Sequence, residues 1–309
     1  VAFVTPEVSP YTPGGAGAVV AELARRLAPD HDVTVIVPGA GPFDHDEPFT
    51  IEWLPGVESI AGRSAAAAAF LADGGFDLVE FTDFDAIGWD SLVDRGRSGC
   101  QASLVAVRVH GPTDLMFEAI GRLPDDLREV VSREAEVYRM ADLVLAPSPS
   151  MAALVIDRYQ LDSDRVLVSA PPVSPLVAPR PAPGPNPEVV CFGRLGEVKG
   201  SHDLLRSVLP LLEKRPDLRL RFVGGDGWSS EASRPMSEWL RSMVPDSLSA
   251  RVTFEGPVPR SDLAGSLATA WMVVIPSRFE GYCLAADESR LLGHPLLIAD
   301  LPGVRDRLG

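Results

Sequence analysis

Short apolar runs rich in β-branched residues alternate along the chain with stretches whose apolar positions recur every three to four residues. Residues 1–5 are an apolar run closed by Pro6, residues 18–27 carry helical spacing, and 32–37 (DVTVIV) read as a buried strand. A helix over 64–72 leads to a strand at 77–81. A strand at 103–109, a long helix over 125–140 and a strand at 143–146 follow. Strands apolar on both faces, separated by helices, predict a parallel sheet covered on both sides.

The rhythm then breaks. Residues 171–188 are proline-rich, and proline is excluded from helix interiors and central strands. This stretch reads as an extended connector. Beyond it the alternation restarts, with strands expected at 189–192, 218–223, 252–254, 272–275 and 295–299. Helices are expected over 201–212 and near Ser237, Leu263 and Ala286. The organisation is therefore an α/β chain of two Rossmann-like domains, 1–170 and 189–309, joined by the linker 171–188 and facing across a cleft. Ligands of such folds bind at the carboxyl ends of the strands.

Composition narrows the function. The chain has 309 residues, 46% hydrophobic and 23% charged, as a globular protein does. Its net charge of −15 argues against a nucleic-acid binder and against docking on an anionic membrane. The charge is unevenly placed. Residues 1–188 hold 13 arginines against 28 carboxylates, and residues 189–309 balance 15 cations with 15 carboxylates. Only two lysines occur, Lys199 and Lys214, so a lysine in a loop is not surface filler here. Three scattered cysteines (Cys100, Cys191, Cys283) suggest a reducing compartment and no disulfide framework. No Cys/His cluster suggests zinc. No apolar run is long enough for a membrane span. The chain starts on a strand without the charged and apolar regions of a signal peptide, so a cytoplasmic enzyme is expected.

The second domain carries the chemistry. Gly193-Arg194-Leu195-Gly196-Glu197-Val198-Lys199-Gly200 lies between a strand and a helix. Its glycines allow close backbone approach, and the helix start favours an anion that Arg194 and Lys199 can both address. Alone, the segment fits equally well a tight turn with two solvated cations. Gly224-Gly225-Asp226-Gly227 and Gly256-Pro257-Val258 are weaker turns of the same kind. The strongest segment runs from Pro276 to Glu288 (PSRFEGYCLAADE), with Glu280 in the loop and Glu288 inside the following helix. Two carboxylates at one strand end can grip separate hydroxyls of one ligand, and the amides of Gly281 to Leu284 would crown the helix. A helix cap plus one exposed glutamate is the plain alternative.

The Glu280-x7-Glu288 segment resembles the signature of nucleotide-sugar-dependent retaining glycosyltransferases of family 4, glycogen-synthase-like enzymes of the two-domain GT-B fold. Arg194 and Lys199-Gly200 resemble their diphosphate site. Val4-Thr5-Pro6-Glu7 with Gly14-Gly15-Ala16-Gly17 resembles their first glycine-rich loop, and Val109-His110-Gly111 their strand-end histidine. Residues 141–148 (ADLVLAPS) resemble the strand before the linker. The resemblance implies that Arg194 and Lys199 hold the donor diphosphate, and that Glu288 binds ribose hydroxyls with Val258 near the base. It implies that Glu280 and His110 contact the transferred sugar. The amides of Tyr282, Cys283 and Leu284 would face sugar and phosphate, while Gly14, Gly15 and Gly193 admit the donor. Cys283 stands where the family commonly has a second glycine, and Pro302-Gly303 replaces a frequent Gly-Gly. The family also continues beyond the point reached at Gly309, so the second domain is expected to be incomplete at its C-terminal end.

By this reading a hexosyl unit moves from a nucleotide-diphosphate sugar to a soluble acceptor, with retained configuration, no metal and no cofactor besides the donor. Asp83-Phe84-Asp85 has the spacing of a metal-binding acid pair but reads as a loop with solvated acids. A glycosidase is disfavoured, since paired acids flanking a glycosidic bond leave Arg194 and Lys199 without a role. The acidic first domain points to a neutral or cationic acceptor such as an amino-sugar. A nucleotide-sugar binder or an epimerase-like GT-B protein without transfer remains the alternative.

Overall fold

A computed structural model describes residues 1–12, 14–96, 99–174 and 183–308. The chain divides into two units, Val1–Pro172 with Pro302–Gly309, and Val173–Leu301. The middle of the proline-rich stretch, residues 175–182, lies outside the described residues.

The first unit holds β1 (Ala2–Val4), α1 (Gly15–Leu27), β2 (Thr34–Pro38), β3 (Thr50–Leu54), α2 (Ile60–Asp73), β4 (Leu78–Thr82), α3 (Trp89–Val93), β5 (Leu104–Arg108), α4 (Thr113–Glu118), α5 (Arg128–Met140), β6 (Leu143–Ala146), α6 (Pro149–Tyr159) and β7 (Val166–Val168). Its seven strands lie in the order β3-β2-β1-β4-β5-β6-β7, all parallel. The central strands are apolar on both faces because helices cover both faces. All of β1 is buried, and Phe3, Val35, Val37 and Ile51 pack with Val20, Ala21 and Ala24 of α1.

Strands that alternate weakly escaped the sequence pattern. The edge strand β3 buries only Ile51, and the other edge strand, β7, has no buried residue. Helix α6, which the pattern along the chain does not predict, starts just after the expected strand 143–146. Ser148 caps it, accepting a hydrogen bond from the Met151 amide, and Pro149 occupies its first turn.

The second unit holds β8 (Glu188–Phe192), α7 (Ser201–Lys214), β9 (Arg219–Val223), the two-residue strands β10 (Trp228–Ser229) and β11 (Arg234–Pro235), α8 (Met236–Met243), β12 (Val252–Phe254), α9 (Arg260–Leu267), β13 (Met272–Ile275), α10 (Leu284–Leu292) and β14 (Leu296–Ile298). Its five-stranded parallel sheet runs β12-β9-β8-β13-β14. Leu205 and Leu212 of α7, Leu220 and Phe222 of β9 and Leu240 of α8 are buried together in its core. The last helix, α11 (Pro302–Leu308), belongs to the first unit. Ser150 donates to Asp306 through both its amide and its hydroxyl, each at 2.7 Å, so Asp306 satisfies orphan donors at the start of α6.

Both sheets reverse direction of growth once. The chain builds β1, β2 and β3 outward and returns to place β4 on the other side of β1. It builds β8, β9 and β12 outward and returns to place β13 beside β8. Two such switch points leave two crevices at strand carboxyl ends, where α/β folds bind ligands.

Candidate functional site

In the second unit, the loops that follow β8 and β13 flank the switch point. Lys199 comes from the first and Glu280 from the second, 81 residues apart, and they meet. Lys199 Nζ donates to Glu280 Oε1 and Oε2, both at 2.8 Å. Ser277 Oγ donates to the same oxygen, Glu280 Oε1, at 2.6 Å and helps fix the carboxylate. The Glu280 side chain is 8% exposed and that of Lys199 42%. Burial works against the ammonium, but the Glu280 carboxylate outweighs it, and the Lys199 pKa stands above the usual lysine value. Arg194 is exposed, close enough to act on the Lys199 charge, and its side chain has no partner among the described residues. The pair was not foreseen as an ion pair, only as two ligands of one molecule.

The backbone is built for close approach. Gly200 ends the first loop at φ +66°, and a Cβ there would stand 2.1 Å from the Pro276 carbonyl oxygen. The Arg278 amide donates to the Val198 carbonyl, further joining the two loops. Gly193 has φ +121°. A Cβ on Gly224 would meet the Gly193 carbonyl oxygen at 1.9 Å, so the Gly224-Gly225 turn is a packing requirement of this corner. The Gly224 amide donates to Gly256, and Leu195 to Gly225, so the loops after β8, β9 and β12 converge.

Helix α10 starts as expected, with Gly281, Tyr282 and Cys283 leading into Leu284. Cys283 holds φ +71°, a left-handed backbone that disfavours a side chain. A glycine at the same place would be unstrained, which is the physical sense of the family's preference. Glu288, one turn into α10, is buried and paired with Arg260 of α9. Burial raises its pKa, and the Arg260 guanidinium opposes the rise. Arg260 was missed in the sequence because only the fold brings α9 to α10. Val258 is half-buried and lines an open depression with Glu255, Pro257 and Asp262.

In the first unit, Gly14 and Gly15 open α1, and the Glu7 carboxylate occupies this corner. Glu7 Oε1 accepts a hydrogen bond from the Gly17 amide at 3.2 Å, and a Cβ on Gly14 would fall 1.7 Å from Glu7 Oε2. Gly15 has open space around it.

His110 stands at the end of β5. Its Nε2 is buried and has no partner among the described residues. Burial, helped by Arg108, pushes its pKa down to about 3, so the imidazole is neutral at physiological pH. Asp83 corrects the expectation of a solvated acid. It is 1% exposed and accepts three hydrogen bonds at Oδ2, from the His110 and Gly111 amides and the Tyr138 hydroxyl. Asp85 is paired with Arg63 at 3.1 Å. Among the described residues, no three His, Cys, Asp or Glu side chains are arranged to hold a metal ion. No described helix is long and apolar enough to cross a membrane.

Comparison with known proteins is consistent across both units. The family model Glycosyltransferase Family 4 matches residues 13–175, and the model Glycosyl transferases group 1 matches residues 186–309. The D-inositol 3-phosphate glycosyltransferase of Streptomyces scabiei is 31% identical over 58% of this chain. The chain spans 44% of that relative's length. The protein of the same name from Thermobifida fusca is 27% identical over 94% of this chain and 74% of its own. Sucrose-phosphate synthase from Thermosynechococcus elongatus superposes with a TM-score of 0.75 at 18% identity, covering 98% of this chain and 82% of that one. Anabaena HepE in complex with UDP-glucose does so at 0.70 and 17%, covering 100% and 82%. These likenesses show the fold, two Rossmann-like units of the GT-B type.

Proposed function

The chain belongs to glycosyltransferase family 4, and from that premise we propose that it moves a hexosyl unit from a nucleotide-diphosphate sugar to a soluble acceptor. The observation that carries the proposal is the Lys199–Glu280 pair at the switch point of the second unit, with Arg194 beside it. A departing nucleoside diphosphate develops negative charge as the sugar becomes oxocarbenium-like. Two cations and the α10 N-terminus stabilise that charge from preset positions. In this reading Lys199 and Arg194 hold the diphosphate, and Glu280 exchanges part of its bond to Lys199 for the sugar hydroxyls. Glu288 takes the ribose and Val258 borders the base. The amides of Gly281, Tyr282, Cys283 and Leu284 line sugar and phosphate. His110, neutral, contacts the transferred sugar without adding a positive charge near the developing oxocarbenium.

Transfer proceeds with retained anomeric configuration and without a metal, since the protein's own cations meet the leaving group. The relatives' names point to a phosphorylated polyol as acceptor, whereas the net charge of −15 over residues 1–188 favours a neutral or cationic one. An acceptor panel spanning both decides this.

The test is release of nucleoside diphosphate from a panel of nucleotide-sugars, with and without acceptors, in the presence of EDTA. NMR of the product reads the anomeric configuration. Transfer with retention and no effect of EDTA is expected. Donor affinity with no diphosphate release in any combination would instead make the chain a nucleotide-sugar binder.

A further inference from the structure

The geometry points to Asp83 as a positioning residue that fixes His110 for its contact with the transferred sugar. This rests on the proposed role of His110. Asp83 follows β4, and its backbone amide donates to the Arg108 carbonyl at 3.1 Å, placing it against the end of the neighbouring strand β5. One carboxylate oxygen, Oδ2, receives the two consecutive amides of His110 (2.9 Å) and Gly111 (3.1 Å). These amides leave the sheet at the end of β5 and have no strand to bond, so the carboxylate sets the direction in which the chain departs. Tyr138 of α5 donates to the same oxygen at 2.8 Å and holds the carboxylate in turn.

The far end of the turn is gripped in the same way. Glu134, one turn before Tyr138 on α5, accepts from the Thr113 amide at 2.9 Å and from the Thr113 hydroxyl at 2.7 Å. Two buried carboxylates thus bracket the turn 110–113, and His110 sits within it with an unsatisfied Nε2. Buried carboxylates are costly, and burial has pushed Asp83 up to about 6 and Glu134 up to about 8. The His110 and Gly111 amides need an acceptor here, and apolar packing would leave them unpaired. Asp83 Oδ1 is also buried without a partner among the described residues, so the carboxylate is not satisfied as a purely structural group would be.

Asp83→Asn, His110→Ala, the double variant and Tyr138→Phe are made in the full chain. Diphosphate release is measured as kcat and donor KM, alongside melting temperature and hydrogen exchange at the His110 and Gly111 amides. Asp83→Asn is expected to lower kcat at least tenfold with KM changed less than threefold, and to add nothing in the His110→Ala background. Tyr138→Phe is expected to give a smaller loss of the same kind. An equal loss with and without His110, normal kcat in Asp83→Asn, or normal turnover in His110→Ala overturns the inference. If the wild-type chain transfers no sugar, the functional proposal fails separately. Amide exchange then decides the positioning role. Exchange accelerated at residues 110 and 111 in Asp83→Asn supports it, and unchanged exchange overturns it.

Discussion

Lys199 Nζ lies 2.8 Å from both carboxylate oxygens of Glu280, and the two residues come from loops on either side of one sheet crevice. Lys199 is half open to solvent but Glu280 is 8% exposed, so removing the lysine leaves a nearly buried carboxylate, at a cost of about 1–3 kcal/mol once water partly replaces the ammonium. Lys199→Ala should therefore lower the melting temperature by several degrees while the chain still folds. It should also abolish the rise in melting temperature that nucleoside diphosphates produce by binding the folded state. Glu280→Gln should keep that rise, because Lys199 then faces the diphosphate unopposed, and should lose transfer. A thermal-shift series with and without diphosphate reads both.

Arg260 and Glu288 form another pair in the second unit, with a similar balance of burial. The Glu288 side chain is 6% exposed, so removal of Arg260 leaves a buried carboxylate without its counter-charge. Because the arginine is itself one-third exposed, water can partly replace it. Arg260→Ala should therefore cost about 1–3 kcal/mol in urea unfolding at pH 7. Donor affinity in Arg260→Ala should fall as well, since an uncompensated Glu288 tends to bind a proton and loses acceptor strength toward ribose hydroxyls. Arg260→Lys should recover part of the stability.

These two pairs differ in how legible they were in the sequence. Lys199 and Glu280 stood out because a lysine is rare in this chain and because both sit beside glycines at strand ends. Their mutual contact was not legible, since it depends on β13 returning beside β8. Arg260 carried no signal at all, being one arginine among many on an ordinary helix start. The inner strands were readable because burial on both faces makes them continuous apolar runs. The edge strands β3 and β7 were not, because water on one side dilutes the pattern. Asp83 was seen and misread. Its spacing from Asp85 suggests a solvated loop, whereas the donors to its carboxylate are two amides just after β5 and a tyrosine hydroxyl from α5.

The carboxylates of the first unit predict an unusual pH dependence. Burial and the neighbouring Asp83 raise the Glu134 pKa from 4.5 to about 8. The folded state therefore binds a proton that the unfolded state has released between these values. Stability from this group is complete below pH 4.5 and is lost as pH rises toward 8, by an amount on the order of a few kcal/mol. Asp83 acts in the same direction over a lower window, from 3.8 to about 6. Urea unfolding of wild type should thus show stability falling from pH 6 to pH 8. Glu134→Gln, which keeps the shape and cannot ionise, should flatten that fall. A slope unchanged in the variant would assign the dependence to other groups.

Gly200 offers the sharpest separation of backbone from side chain. It combines φ +66° with a Cβ position 2.1 Å from the backbone carbonyl of Pro276, an atom that cannot swing aside. Gly200→Ala must therefore either strain the left-handed turn or push the loop after β13 away, at a cost of about 2–4 kcal/mol. Either response displaces Lys199, the preceding residue, relative to Glu280, so donor affinity should fall with the melting temperature. Gly196, four residues earlier in the same loop, has nothing within 4 Å of its Cβ position and no left-handed backbone. Gly196→Ala should be neutral or gain up to about 1 kcal/mol by restricting the unfolded chain. Donor binding should also survive that change. Loss of binding in both variants would mean that the loop serves the donor through its flexibility. Loss in Gly200→Ala alone ties binding to the fixed approach of the two loops.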